Sequence, residues 1–157
     1  MRLHIPPAFY HRKFRLLWLG LAISIAGTQM QTWALFWHIR TLTDQAIFLG
    51  GIGLARIIPI LFFSLIGGAV ADTVNRRVVL FITQSLMALS ALMLAGLTLV
   101  GTISLWHIYA LTALQALAVS FDLPARQSLV PNLVPPRDLP NAFSLQSISM
   151  QIGSIVG

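Results

Sequence analysis

Four uninterrupted apolar stretches, each long enough to cross a bilayer, constrain this chain more than any other feature of its sequence. They occupy about residues 16–39, 47–71, 78–100 and 103–121, and a fifth stretch begins near Asn141 and runs to residue 157. The hydrocarbon core of a bilayer is about 30 Å thick, and roughly 20 helical residues cross it. Helices are the only single segments that satisfy their own backbone hydrogen bonds in lipid. The pattern therefore predicts an all-α integral membrane protein.

Composition excludes most classes of water-soluble protein. Hydrophobic residues make up 57% of the 157 residues and charged residues only 9%, whereas a soluble domain carries about 25% charged residues. The chain has no cysteine, which excludes a disulfide-stabilised secreted scaffold. It also has no Glu, no pair of neighbouring carboxylates and no glycine-rich nucleotide loop. We therefore expect no enzyme, no cofactor and no metal site.

The positions of Arg and Lys predict the orientation of the chain. Eight of them precede the first span or lie in the links after the second and fourth spans, whereas only Arg40 lies in the opposite links. Because cytoplasmic loops carry an excess of Arg and Lys, we expect a cytoplasmic tail at residues 1–14 and a multi-pass bundle at residues 15–157 in the inner (plasma) membrane. The net charge of +6 then reflects topology and does not indicate a nucleic-acid partner. The eight residues are Arg2, Arg12, Lys13, Arg15, Arg76, Arg77, Arg126 and Arg137.

The link between the second and third spans carries a recognisable motif, GGAVADTVNRR, at residues 67–77. It resembles the cytoplasmic signature of the major facilitator superfamily, roughly G-x-L-A-D-R-x-G-R-[KR]. Thr73 replaces the usual Arg, and Asn75 replaces the usual Gly; because Asn tolerates left-handed backbone, we expect a tight turn there. Gly67 and Ala71 are four residues apart and predict the close approach of a neighbouring helix. The matching positions are Gly68, Ala71, Asp72, Arg76 and Arg77.

A second region sharpens the resemblance. The sequences FDLPARQSLVP (121–131) and LPNAFSL (139–145) are similar to the fourth-to-fifth helix region of the branch that includes the enterobactin exporter and the transmembrane secretion effectors. Members of the superfamily have twelve helices in two six-helix halves. The resemblance implies the N-terminal four and a half helices of this fold, with the missing C-terminal helices of the same transporter as a partner. It further implies export of small amphipathic molecules, such as drugs or siderophores, across the lipid bilayer by secondary active transport with alternating access.

Polar side chains in or beside the spans are the candidate functional residues. Arg56 lies nine residues into the second stretch, where a charge costs at least about 2.5 kcal/mol and normally faces a cavity or a partner. For each Gln, hydrogen bonding to a neighbouring helix and contact with substrate both stay open. The resemblance implies a cytoplasmic gate at Gly68, Asp72, Arg76, Arg77, Asp122 and Arg126. Candidates for the substrate cavity are Thr28, Gln31, Arg56, Gln115, Ser147 and Gln151.

A competing class of function remains open at this point. The sequence stops at Gly157, within its fifth apolar stretch, and we expect it to be truncated. Four and a half helices would leave a transport cavity only half walled. The alternative is therefore a truncated product that does not transport, or a small membrane protein that assembles with other helices.

Overall fold

The computed structural model describes the backbone of residues 6–156 and the side chains of residues 6–70 and 73–151. Within these ranges every regular element is a helix, so the predicted all-α fold is confirmed. Three short 3-10 helices lie at Pro7–Tyr10, Val130–Asn132 and Pro136–Asp138. The five α-helices are α1 (Arg12–Leu42), α2 (Ile47–Thr73), α3 (Arg76–Val100), α4 (Leu105–Leu129) and α5 (Leu139–Val156).

Three helical segments are long and apolar enough to cross a membrane among the residues described. They are Ile47–Val70, Arg76–Val100 and Leu105–Asn132, with mean hydropathies of 2.1, 2.1 and 1.4. The 31 residues of α1 span about 46 Å at a rise of ~1.5 Å per residue, which exceeds the thickness of the hydrocarbon core. Polar side chains, Gln29 and Gln31 among them, lower the hydropathy of α1, as expected of a helix that does not face lipid on all sides.

The ends of α3 show how the sequence sets the helix boundaries. Asn75 precedes α3 with extended backbone (φ −61°, ψ 110°), and its side chain accepts a hydrogen bond from the backbone N–H of Arg77 at 3.1 Å. The turn is tight, as expected, because only Val74 and Asn75 separate α2 from α3. Asn75 does not adopt left-handed backbone there, because it serves as a helix N-cap. Gly101 (φ 74°) ends α3 and is the one left-handed residue in the described backbone. The N–H groups of Gly101 and Thr102 bond to the carbonyls of Thr98 and Leu97, which is the Schellman arrangement.

Helix α4 continues past the predicted end of the fourth span. The apolar stretch was expected to end at Phe121, but the helix runs to Leu129. Asp122 and Arg126 therefore lie on the helix, and the expectation that Arg126 belongs to the following loop is wrong. The two residues are four positions apart with the acid first, the spacing at which oppositely charged side chains stabilise a helix. Hydropathy alone stops at the charge and misses this continuation.

The chain divides into two compact units, of which the first comprises residues Met1–Ala34 and Leu129–Gly157. Its core joins the start of α1 to the segment that precedes and opens α5. The Trp18 Nε1–H donates to the carbonyl of Leu145 at 2.9 Å, and the Ala8 N–H donates to Asn141 Oδ1 at 3.3 Å. Residues 6–14 of the predicted tail thus take part in a packed core. The buried side chains of this core are Ala8, Phe14, Val130, Val134, Ala142 and Leu145.

The second unit comprises Leu35–Ser128. It contains the end of α1, all of α2 and α3, and α4 except its last residue. Tyr109 of α4 lies against Gly51 of α2, where an added Cβ would come within 2.7 Å of the phenol oxygen. The same hydroxyl donates to the carbonyl of Phe48 at 2.8 Å. One end of this unit is filled by an apolar core whose buried members are Leu35, Ile39, Ile52, Leu94, Ile108 and Leu111.

Candidate functional site

The carboxylate of Asp122 receives four hydrogen bonds within the second unit. Thr83 Oγ1 and Gln84 Nε2, both on α3, donate to its Oδ1, each at 2.9 Å. Arg126, one turn along α4, donates to its Oδ2 from Nε at 3.2 Å and from Nη2 at 2.9 Å. The Thr83 hydroxyl also lies 3.1 Å from the carbonyl of Leu80, and its single proton bonds one acceptor at a time. Asp122 thus joins α3 to α4 through a charged group.

Burial makes this cluster energetically important. Asp122 is 9% exposed and Arg126 is 5% exposed. Removing one partner of a buried ion pair leaves the other charge uncompensated, at a typical cost of about 3–5 kcal/mol. In the intact cluster the buried carboxylate is fully hydrogen-bonded, because its oxygens accept from a guanidinium, a hydroxyl and an amide. The cluster is therefore stable when complete and costly to break.

A close contact between α2 and α4 lies one turn from the cluster. Pro124 is inside α4, and because it has no N–H, the carbonyl of Ser120 has no intrahelical donor at that position. A Cβ added at Gly67 of α2 would overlap this carbonyl oxygen. Gly67 therefore lets the backbone of α4 approach α2 more closely than a residue with a side chain would allow. The close approach predicted at Gly67 is confirmed.

The remaining gate candidates lie around the link between α2 and α3. Gly68 has open space around its Cα, Arg76 is half-buried in the first turn of α3, and Arg77 is exposed. The side chain of Asp72 lies outside the described side chains, so its contacts form no part of the site as described. The structure brings Asp122 and Arg126 together directly. Their contact with the link stays a prediction.

Thr83 and Gln84 complete the Asp122 cluster and were missed from the sequence. A usable signal was present, since Thr83, Gln84 and Ser85 form a short polar run between apolar residues of α3. Helices α3 and α4 follow one another through a short turn and run antiparallel, so the start of α3 lies beside the end of α4. Pairing polar residues at matching distances from that turn would have placed Thr83 opposite Asp122.

The cavity candidates are divided between the two units. Thr28 and Ser147 donate to carbonyls of their own helices, those of Ser24 at 2.9 Å and Phe143 at 3.1 Å. Such bonds satisfy the hydroxyl locally and bend helices slightly. Of the first unit's candidates, Thr28 and Gln31 are half-buried, whereas Ser147 and Gln151 are exposed.

Arg56 and Gln115 belong to the second unit. The contacts Gly51–Tyr109, Phe63–Phe121 and Gly67–Ser120 show that α2 and α4 run in parallel. Arg56 lies between Gly51 and Phe63, and Gln115 lies between Tyr109 and Phe121, so both occupy the middle part of their helices. Gln115 is 6% exposed, which favours hydrogen bonding to a neighbouring helix over contact with substrate. Arg56 is half-buried.

Comparison with known proteins identifies the family and the relatives that this sequence resembles. Residues 6–157 match the transmembrane secretion effector family. The staphyloferrin A transporter of Staphylococcus aureus is 32% identical over 152 residues, and the macrolide efflux protein A of Streptococcus pyogenes is 23% identical over 148 residues. These matches cover 95% and 92% of this chain and 36% of each relative. No solved structure matches the chain.

The family match covers nearly the whole chain, including the Asp122 cluster and the α2–α3 link. The apolar helices and the bacterial transporter relatives place the chain among multi-pass proteins of the bacterial plasma membrane. The chain belongs to the transmembrane secretion effector family of the major facilitator superfamily.

Proposed function

We propose that these residues provide the N-terminal helices of a secondary active transporter that exports small amphipathic molecules by alternating access. The family match over residues 6–157 carries this proposal. Two relatives named for a siderophore and for macrolide efflux support a small-molecule substrate. The chain spans 36% of the length of these relatives, so the proposed activity is that of a complete twelve-helix protein.

The proposed orientation places the N-terminus in the cytoplasm. Arg126 lies in the last turn of α4 and not in the loop that follows, so it stays at the same end of that helix and the count of eight basic residues on that side is unchanged. Arg40 remains alone on the opposite side, so the charge bias still favours this orientation. The Asp122 cluster then lies towards the cytoplasmic end of α4.

The proposed gate consists of the Asp122 cluster and the neighbouring link. Asp122 couples α3 to α4, and the Gly67 contact couples α2 to α4. Helices coupled in this way move together when one half of a transporter rocks against the other. Arg76 and Arg77 lie at the start of α3 and supply positive charge at the same end. The proposed gate residues are Gly68, Asp72, Arg76, Arg77, Asp122 and Arg126.

The proposed substrate path uses polar groups at mid-depth. Arg56 is the strongest candidate, because a guanidinium in an apolar helix attracts an anionic or carbonyl-rich group. The side chains of Ser147 and Gln151 are exposed, whereas the burial of Gln115 favours helix packing. The proposed cavity residues remain Thr28, Gln31, Arg56, Gln115, Ser147 and Gln151.

Export measured in bacteria tests the proposed function. The coding region, with any open reading frame that continues it, is expressed in a strain lacking its main efflux pumps. Staphyloferrin A and a macrolide serve as probes, and a protonophore tests whether an ion gradient drives export. We expect lower intracellular accumulation of at least one probe, with the effect lost in protonophore. Unchanged accumulation of both, with the protein present in the membrane, would contradict the proposal and favour the non-transporting alternative.

Replacing Arg56 tests the proposed substrate path. We expect Arg56→Gln to reduce export about tenfold or more, because it removes the one charge at mid-depth in α2. Arg40→Gln is the matched control, since it removes the same charge from an exposed site at the end of α1. Equal export rates for wild type and Arg56→Gln would remove Arg56 from the proposed path.

A further inference from the structure

An open groove lies at the N-terminal end of α1 in the first unit. Its volume is about 460 Å³, and its lining residues are Phe9, Tyr10, Arg15, Trp18 and Leu19. The rings of Phe9 and Trp18 meet edge to face at 5.0 Å, which fixes one wall. Trp18 and Leu19 lie three and four residues after Arg15, so both are on the same face of α1 as Arg15. The groove therefore has apolar and aromatic walls with one cation among them.

The position of the groove along α1 matches the boundary between lipid headgroups and hydrocarbon. Arg15 directly precedes the apolar stretch that begins at residue 16, so its guanidinium lies at the headgroup level in either orientation of the chain. Trp side chains concentrate at this boundary because they have an apolar ring and a polar N–H. Here the Trp18 N–H is bonded within the protein, to the Leu145 carbonyl, which leaves the ring face for the groove.

The local charge selects an acidic ligand. Arg12, Lys13 and Arg15 are exposed within one turn of helix, and the sequence has no acid before Asp44. None of the salt bridges of the described residues involves Arg15, whereas Asp138, the acid of this unit, bonds His11 at 3.0 Å. A phosphate group would supply a negative charge at Arg15, to which no salt bridge of the described residues brings an acid.

We propose that this groove binds one acidic phospholipid, with its phosphate at Arg15 and an acyl chain along Phe9, Trp18 and Leu19. The apolar walls favour a lipid over free phosphate, which has no chain to bury. The positive surroundings favour an acidic headgroup over a zwitterionic one. This site is separate from the proposed gate and cavity, and its existence does not depend on the transported substrate.

Native mass spectrometry of the purified chain in detergent micelles tests the proposal. The probes are phosphatidylglycerol and phosphatidylcholine with identical acyl chains, and glycerol 3-phosphate as a headgroup without chains. We expect phosphatidylglycerol to bind at least about fivefold more tightly than phosphatidylcholine, the factor that corresponds to ~1 kcal/mol per basic residue at an anionic surface. Glycerol 3-phosphate should not compete at equal concentration.

Two matched variants separate this site from general attraction to basic residues. Arg15→Gln should weaken phosphatidylglycerol binding about fivefold and leave phosphatidylcholine binding unchanged. Lys13→Gln removes the same charge from the same turn but outside the groove, and it should weaken binding less than twofold. Equal affinity for the two lipids, equal losses in the two variants, or full competition by glycerol 3-phosphate would each overturn the proposal.

Discussion

At the scale of single residues, the packing of α2, α3 and α4 in the second unit depends on contacts made by a few residues. The Asp122 carboxylate accepts from both α3 and α4, and Gly67 is the residue of α2 that meets the backbone of α4. Both features lie within about one turn of Pro124, which leaves the Ser120 carbonyl without its helical donor. The chemistry of this end of α4 is therefore set by a proline, a glycine and an ion pair.

A methyl group at Gly67 should separate α2 from α4. We expect Gly67→Ala to lower the free energy of unfolding by about 1–3 kcal/mol, as overpacking does, because its Cβ would overlap the Ser120 carbonyl. Gly68→Ala is the matched control, since the space around Gly68 is open; there Ala should be neutral or slightly stabilising in a helix. Unfolding in mixed micelles measures both, and equal stability of the two variants would show that the contact is unimportant.

Sequence reasoning identified some of these residues and missed others for physical reasons. Asp122 and Arg126 were named because the segment that contains them resembles the family, but their pairing on one helix was not predicted, since the apolar stretch stops at Phe121. Thr83 and Gln84 were missed because a polar residue in an apolar helix has no visible partner until the helices are paired. The Gly67 contact was predicted from small-residue spacing. The tight turn at Asn75 was predicted too, but not its role as an N-cap, because Asn has two common uses, as a left-handed turn residue and as an N-cap.

At the scale of elements, the start of α1 and the start of α5 form one structural unit. The Trp18 and Ala8 bonds and the His11–Asp138 pair connect residues more than 120 positions apart. An aromatic and aliphatic core fills the space between them. The sequence predicted a tail here, because charge and Pro6-Pro7 are visible locally and these distant partners are not. The first helix and the segment before α5 are thus expected to move as one body.

Removing the Trp18 hydrogen bond should loosen the start of α5. We expect Trp18→Phe to increase amide hydrogen exchange at residues 142–149 about fivefold, since it loses the N–H that bonds the Leu145 carbonyl and such a bond contributes ~1 kcal/mol. Trp106→Phe provides the control, because Trp106 is exposed at the start of α4. Exchange at α5 that is the same in both variants would show that the bond does not hold this helix.

At the scale of the whole molecule, the proposal concerns the orientation of the chain in the membrane. The proposed orientation, which rests on the charge bias, puts the links after α2 and α4 in the cytoplasm and the turn between α3 and α4 outside. The fold class and the family follow from the apolar stretches and the motif, both of which are present in the sequence. The orientation and the gate depend on charged side chains, and the partners of these side chains are set by how the helices pack. Both proposals are therefore tested by direct measurement.

Cysteine labelling in intact cells tests the orientation cleanly, because the chain has no cysteine of its own. Thr102 and Asn132 are exposed and lie beyond opposite ends of α4. We expect Thr102→Cys to react with an impermeant maleimide from outside, and Asn132→Cys to react only after the membrane is permeabilised. The reverse pattern would contradict the proposed orientation and move the Asp122 cluster to the outer side.

A test of the proposed gate requires a variant that remains folded. Asp122→Asn leaves the buried Arg126 without its charge partner, and about 3–5 kcal/mol of lost stability would follow. The double variant Asp122→Asn with Arg126→Gln removes both charges and should recover much of that loss. Asp44→Asn is the control, because Asp44 is exposed and far along the chain from the cluster.

The most direct test of the account is the export rate of the double variant, at membrane levels matched to wild type. We predict at least a tenfold loss of export for the Asp122→Asn, Arg126→Gln protein, and wild-type export for Asp44→Asn. Wild-type export by a folded double variant would contradict the proposal that the Asp122 cluster controls transport.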